Sequence, residues 1–335
     1  MTTNEPIAVD NSILNAVASC STEAVLRYVY HYTTLDEAAT LRSGSAGHDA
    51  MAVWLRGGTK DAALDAFTAA YYDWSAANNI PRDDRLAFNN IYTILDYWFD
   101  KNPVADLPYR VAPDLIEVGF AYPLDPDGEF TFCGRMDAIV GDITSSSIYP
   151  LDHKFTGNLT PYFKKRFRND SQMSGYVWGA QQSTSRLIPG VYINAIELRR
   201  LPSDPVRRCR THGTSYAECG YLHATYELIG PITRSDAEID EWRRTAIHLA
   251  RRFRDLLRRF PTLDDLWRVR TQGKFHGSCA FCHFNDFCAV GRPMNLVDSM
   301  LRRERWEPFT YAFKGRADAD ATVDTPTPAT PSPTP

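Results

Sequence analysis

Two short acidic stretches carry the chemistry within reach of this sequence. One is Gly134-Arg135-Met136-Asp137 and the other is Leu151-Asp152-His153-Lys154. Each lies in a run that reads as a strand, where residues i and i+2 face one side. Asp152 and Lys154 therefore project together, and His153 turns away. If the two strands pair, Asp137 joins them. Two carboxylates offer hard oxygen ligands to Mg²⁺ or Mn²⁺. Such an ion polarises a phosphate and lowers the pKa of a bound water. A lysine beside it stabilises charge on the phosphate or orients the water. The peptide carbonyl of His153 offers a further oxygen ligand. The chemistry implied is phosphodiester hydrolysis. Taken alone, Asp-x-Lys suits a structural Asp152–Lys154 salt bridge equally well. The apolar residues Ile148, Tyr149 and Leu151 lead straight into the charges. Charge at the end of an apolar strand is costly unless it is paired or metal-bound.

Three other groups of residues bear on the same chemistry. Gln172 and Tyr176 stand one turn apart on an expected helix, hence on one face. There they can contact a nucleotide, brace Lys154, or belong to an ordinary amphipathic helix. His48 follows Gly47 in an expected helix, and a neutral imidazole beside two carboxylates can complete a metal site. Basic residues cluster in Lys164-Lys165-Arg166-Phe167-Arg168, in Arg207-Arg208-Cys209-Arg210, and between Arg243 and Arg259. Each cluster alone reads as a solvated face; together they favour a DNA-binding surface. Lys164, Lys165, Arg166 and Arg168, set between Tyr162, Phe163 and Phe167, are candidates to line a passage for a single strand.

The cysteines point to ligation rather than to disulfides. There are 7 in 335 residues, an odd number in a large chain with no visible export signal. Cys279, Cys282 and Cys288 crowd into ten residues, and Cys20 is a fourth candidate from the other end. Thiolates at such spacing hold zinc or iron–sulphur clusters. A zinc site using His276 or His283 in place of Cys20 stays open. Cys133, Cys209 and Cys219 read as plain buried or loop thiols.

The elements that must position these groups follow from periodicity. A helix is expected over 12–32, capped by Ser12, with Ile13, Val17, Cys20, Ala24 and Tyr28 on one face. A second begins near Ala46, and two more cover about 61–77 and 82–101. Strands are expected at 115–123, 130–141 and 148–154, the first two joined by the turn Asp125-Pro126-Asp127-Gly128. A helix near 170–184, strands near 190–198 and 221–229, a loop at 199–220 and an Arg-rich helix at 235–260 follow. The division expected is a helical region at 1–114, an α/β (α+β) core at 115–260, a cysteine segment at 261–315, and a disordered Pro/Thr-rich tail at 316–335. Net charge is −4 and hydrophobic residues make up 44%, which permits a large core but does not advertise nucleic-acid binding. No apolar run approaches the roughly 18 residues of a membrane span. A cytoplasmic setting is the expectation, in the host cell if the chain is phage-encoded.

The order Gly47-His48, Gly134-x-x-Asp137, Asp152-x-Lys154 and Gln172-x-x-x-Tyr176 resembles the RecB-type branch of the PD-(D/E)XK nuclease superfamily. The resemblance spans roughly residues 12–290. It implies a restriction-endonuclease-like core, with a central mixed β-sheet flanked by helices. It also implies that His48, Asp137 and Asp152 ligate the metal and that Lys154 is catalytic. Gln172 and Tyr176 then complete the site or contact DNA. Asp152 stands where glutamate is common; the superfamily pattern admits either. Glu117, on the preceding strand, can assist but is not counted as catalytic. One cysteine upstream of the core and three downstream is similar to the CRISPR-associated (Cas-four type), AddB-type and phage iron–sulphur exonucleases. That likeness implies a [4Fe–4S] cluster at Cys20, Cys279, Cys282 and Cys288, clasping the C-terminal segment onto the first helix. It further implies exonuclease action on DNA with free ends, especially single strands, in recombination, repair or phage DNA processing. Recombination or CRISPR-type proteins would be its partners. The other class of reading is a nucleic-acid-binding or scaffold protein that keeps the fold without cleaving.

Overall fold

The computed structural model describes residues 5–200, 213–214 and 225–313. The run Arg207-Arg208-Cys209-Arg210, Cys219 and the Pro/Thr-rich tail lie outside the described residues.

The first expected helix is broken, and the break has a tertiary cause. Helix α1 spans Asn11–Ser19, and its N-cap is Asp10 rather than Ser12: Oδ1 of Asp10 accepts the N–H of Ile13 at 2.8 Å. At Cys20 the backbone becomes extended. A short helix, α2 (Ser21–Ala24), restarts it and passes into a π-turn at Val25–Val29. The freed groups find partners far along the chain. Ser21 N–H donates to Gln272 Oε1 at 3.2 Å, and the Thr22 hydroxyl donates to the Arg270 carbonyl at 3.0 Å. Periodicity reports only the local preference, so this competition is invisible to it.

Three longer helices follow: α3 (Ala39–Leu55), α4 (Lys60–Ala77) and α5 (Phe88–Lys101). α3 begins well before Ala46, because residues 39–45 are helical without an apolar stripe. α5 begins later than 82, because Asp84 holds a turn there, its Oδ1 accepting Leu86 N–H at 2.7 Å.

A six-stranded mixed sheet forms the centre. Its strands are β1 (Ile7–Val9), β3 (Tyr109–Pro123), β4 (Phe130–Asp142), β5 (Ile148–Thr156), β6 (Gly190–Glu197) and β7 (Tyr226–Thr233). The order is β1-β4-β5-β6-β7, with β3 along β4. β1 runs parallel to β4 and β5 runs parallel to β6; the other pairings are antiparallel. A small second sheet pairs β2 (Tyr32–Thr34) with β8 (Leu301–Arg303).

Helices cover both faces, and a short one, α6 (Pro161–Arg166), follows β5. On one side α1, α7 (Ser171–Thr184) and α8 (Asp236–Arg259) bury Val17, Val177, Trp178 and Trp242 against Phe120, Phe132 and Met136. On the other, α3, α4 and α5 bury Met51, Phe67, Leu95 and Trp98 against Ala138, Val140 and Leu151. A third cluster joins Val25, Leu26 and Tyr32 to Leu266, Phe287 and Leu301, so the C-terminal segment packs on the break after α1. Among the described residues no helix is long and apolar enough to cross a membrane.

The glycine that opens Gly134-x-x-Asp137 has a packing reason. A Cβ there would lie 2.5 Å from the Phe120 ring, and one at Gly179 of α7 would meet the same ring at 2.5 Å. Phe120 is wedged between the two glycines. Gly134→Ala should overpack this layer and destabilise the fold by about 1–3 kcal/mol. A urea-unfolding midpoint equal to that of wild type would contradict the wedge.

Candidate active site

The site forms where two strands part. β4 and β5 pair from Gly141↔Ile148 to Ala138↔Leu151, and β5 then continues with β6 alone. The next inward N–H on β5, that of His153, has lost its β4 carbonyl. Oδ2 of Asp137 accepts it instead at 2.5 Å. The face of β4 changes at the same place. Met136 belongs to the core under α7, whereas Ala138 belongs to the core under α3. The same change on β3 separates Ile116 from Val118, with Glu117 between them in a left-handed conformation at φ 55. Asp137 thus sits where the sheet's alternation reverses, open to side chains from both layers.

Each layer sends residues to it. From α3, His48 Nδ1 lies 3.1 Å from Asp137 Oδ2. Gly47 lets that helix come close, since a Cβ there would stand 2.4 Å from the Phe155 ring of β5. From β5, Asp152 and Lys154 face α7, with Lys154 Nζ 2.8 Å from Asp152 Oδ2. Nζ also donates to Gln172 Oε1 at 3.0 Å, and Gln172 Nε2 donates to the Tyr176 hydroxyl at 2.9 Å. α7 starts at the correct point because Asp170 caps it, its Oδ1 accepting Gln172 N–H at 2.8 Å. His153 turns to the opposite face, where its Nδ1 is 2.9 Å from Asn194 Nδ2. His48, Asp137, Asp152, Lys154, Gln172 and Tyr176, six residues read from sequence, are therefore brought together.

Burial sets the electrostatics. Asp152 is 1% exposed and Asp137 8%. Burial favours the neutral form of Asp137, but the charge and hydrogen bond of His48 and the N–H of His153 outweigh it, holding its pKa low. His48 is correspondingly raised: burial opposes its charge, and Asp137 overcomes that. Asp152 goes the other way. Burial and the nearby Asp137 charge push it up to about 6 despite Lys154. Burial lowers His153 to about 4, so its ring is neutral. Burial raises the Tyr176 phenol well above its ordinary value, so it stays protonated.

The chain matches the PD-(D/E)XK nuclease superfamily over residues 11–289. It belongs to that superfamily. No curated protein matches it.

Nucleases of this superfamily typically use Mg²⁺, and the donor set suits a hard cation. Asp152 Oδ2 is buried and faces the Lys154 ammonium alone, 2.8 Å away. A buried carboxylate oxygen held by a single cation is what a metal ion would engage. Among the described residues no three His, Cys, Asp or Glu side chains are already gathered as ligands of one ion. Asp137 is turned to His48 and Asp152 to Lys154, so a divalent ion would take over part of the role these two cations now play.

Two neighbours, Arg135 and Tyr311, escaped the sequence reading of the site, and a third, Glu117, was read only as able to assist. Glu117 lies between the pairs Ile116↔Ala138 and Val118↔Met136, hence across from Asp137. Its carboxyl is pushed up to about 7 by burial and by Asp137, and Arg135 Nε holds it at 2.9 Å. The Arg135 guanidinium in turn lies 4.9 Å over the ring of Tyr311. Arg135 precedes Asp137 by two residues, which is a usable signal. No local pattern announces Tyr311, which arrives from the short C-terminal helix Pro308–Ala312.

The basic run divides. Lys164 pairs with Glu227, and Arg166 lies over the Phe163 and Phe167 rings at 5.0 and 4.9 Å. Lys164, Lys165 and Arg168 line a groove of about 780 Å³ against β7, from which Arg166 is absent. The described cysteines are all free. A Cβ on Gly273 would lie 3.3 Å from Cys279 Sγ and 3.6 Å from Cys20 Cβ, so the two ends of the chain meet there. His276 Nε2 lies 3.0 Å from the Ser19 carbonyl.

Burial pushes the Asp152 carboxyl up to about 6 and Asp137 raises the His48 imidazole, so as pH falls both take up protons that a metal must displace. The rise in melting temperature produced by Mn²⁺ should therefore be largest above about pH 7 and shrink as pH falls through about 6. A metal-induced rise that stays constant across this range would count against Asp152 as a ligand.

Proposed function

We propose that this chain is a metal-dependent DNA exonuclease that hydrolyses phosphodiester bonds at DNA ends, with single strands as its preferred substrate. The observation that carries the reading is the buried group at the strand fork, where the Asp137 and Asp152 carboxylates and the Lys154 ammonium converge. His48, Asp137, Asp152 and the His153 carbonyl would hold the ion, which supplies Lewis acidity and an activated water. Lys154, steadied by Gln172, would hold the scissile phosphate and offset the charge that builds on it. The Gln172–Tyr176 pair keeps the lysine aimed and presents a phenol O–H to the same space. Lys164, Lys165 and Arg168 would guide the strand from their groove. The resemblance to the iron–sulphur exonucleases supports action at ends and a setting in recombination, repair or phage DNA processing.

Cys20, Cys279, Cys282 and Cys288 are read as the ligands of a structural [4Fe–4S] cluster. Burial pushes the Cys282 thiol up to about 11, and Cys288 and Cys20 are among the groups that act on it. Burial likewise raises Cys288, beside Cys20 and Cys279. Thiols in such a place ionise when a soft metal takes them as thiolates. Closing a loop from one end of the chain to the other would stabilise the fold.

Asp152→Ala and Lys154→Ala, assayed beside wild type on end-labelled single- and double-stranded DNA with Mg²⁺ or Mn²⁺, should each lose at least about a hundredfold in rate. Equal digestion by all three proteins would overturn the nuclease reading and leave a binding or scaffold protein. Anaerobic purification followed by iron, sulphide and zinc analysis should find iron and acid-labile sulphide in equal amounts, lost in Cys20→Ser. Zinc without sulphide would replace the cluster by a zinc site.

A further inference from the structure

A second cationic cavity lies away from the strand fork, beside the cysteine segment. It encloses about 250 Å³ between the end of α8 and the stretch that follows it. Arg252 and Arg259 come from α8, and Arg268 and Arg270 from the later stretch. Among the described residues Asp255 is the one acid on its wall, and it lies 3.4 Å from Arg254. Arg268 is paired with Asp265 at 3.0 Å. Among the described residues, Arg252, Arg259 and Arg270 have no carboxylate partner. Arginines on one solvated helix face would not share a cavity wall in this way; these come from two separate segments and line one concavity.

We infer that this cavity is an anion site that takes a phosphate group. Concave walls of one charge focus the field they create, and guanidinium forks match phosphate oxygens in geometry. The volume falls below the roughly 300 Å³ at which pockets begin to hold drug-sized molecules, which suits a phosphate rather than a whole nucleotide. The site is also braced. Gln272 Nε2 donates to the Ser21 hydroxyl at 2.9 Å, while Gln272 Oε1 accepts Ser21 N–H at 3.2 Å. Ser21 follows Cys20, so the arginine wall is built onto the place where the two ends of the chain meet. In the nuclease reading, on which only the source of the phosphate rests, a strand entering or leaving the cleavage site would supply it. Inorganic phosphate is the other source of the same chemistry.

The test uses the full chain with Arg259→Ala and Arg270→Ala combined, and Arg259→Gln alone as a milder variant. Binding of a labelled single-stranded oligonucleotide is measured over a range of salt with metal removed, so that nothing is cut. A strand phosphate in the cavity predicts severalfold weaker binding, uniform across sequences. The slope of log K against log salt should fall by roughly 0.7 for each lost contact. In parallel, inorganic phosphate is added during thermal unfolding. A phosphate-dependent rise in melting temperature, present in wild type and lost in the variants with strand binding unchanged, would assign the cavity to the free anion. Variants identical to wild type in both measurements would overturn the site. Cleavage is not read here, so an inactive enzyme would leave this result standing, and a failed binding test would leave the Asp152→Ala comparison untouched.

Discussion

Where β4 and β5 separate, the N–H of His153 must find an acceptor inside the protein, and the carboxylate of Asp137 provides it. Leaving such a buried donor unpaired would cost about 1–3 kcal/mol. The same carboxylate oxygen takes the His48 imidazole, so one buried group both ends a ladder and anchors a helix from the neighbouring layer. The fork also turns β4 over, moving its apolar residues from the core beneath α7 to the core beneath α3. A sheet with unbroken alternation would show Asp137 to one layer only. Because it reverses there, His48 reaches the site from one side while Lys154, Gln172 and Tyr176 close it from the other.

Charge balance explains why a buried site of this kind can exist at all. Two carboxylates in a dry interior repel each other, and each has a cation to offset that: His48 for Asp137 and Lys154 for Asp152. The balance is uneven. Asp137 has an imidazole, a peptide N–H and a low pKa, whereas Asp152 has the Lys154 ammonium alone and is pushed up by burial. The incompletely satisfied member marks where a further positive charge is most favourable. Glu117 extends the acidic group, and Arg135 and Tyr311 brace it, bringing the C-terminal helix to the edge of the site.

The far end of the molecule follows from the break at Cys20. The extended residue there frees Ser21 and Thr22 to bond the segment around residue 271, and Val25 and Leu26 to pack against Leu266 and Phe287. This junction brings Cys20 and Cys279 to either side of Gly273 and puts Arg268 and Arg270 on one cavity wall with arginines of α8. Helix α1 begins at the Asp10 cap and ends at this junction, at Cys20. Asp10 also accepts the indole N–H of Trp306 at 2.8 Å.

The sequence by itself determined whatever depends on local period. Asp152 and Lys154 share a face because side chains on a strand alternate, and Gln172 meets Tyr176 because a helix repeats near four residues. The alternation of strands and helices and the turn at Asp125–Gly128 were legible in the same way, while the order of His48, Asp137, Asp152 and Lys154 spoke only through its resemblance to the nuclease superfamily. Tertiary structure decided the rest. The reversal at Asp137, the left-handed Glu117, the early start of α3 and the break after α1 each exchange a local preference for a distant partner. Tyr311 and the arginines of the cavity wall likewise have neighbours only because separate stretches of chain fold together. Such pairings arise from burial and from unsatisfied backbone groups at particular places in the fold, and no window of adjacent residues records them.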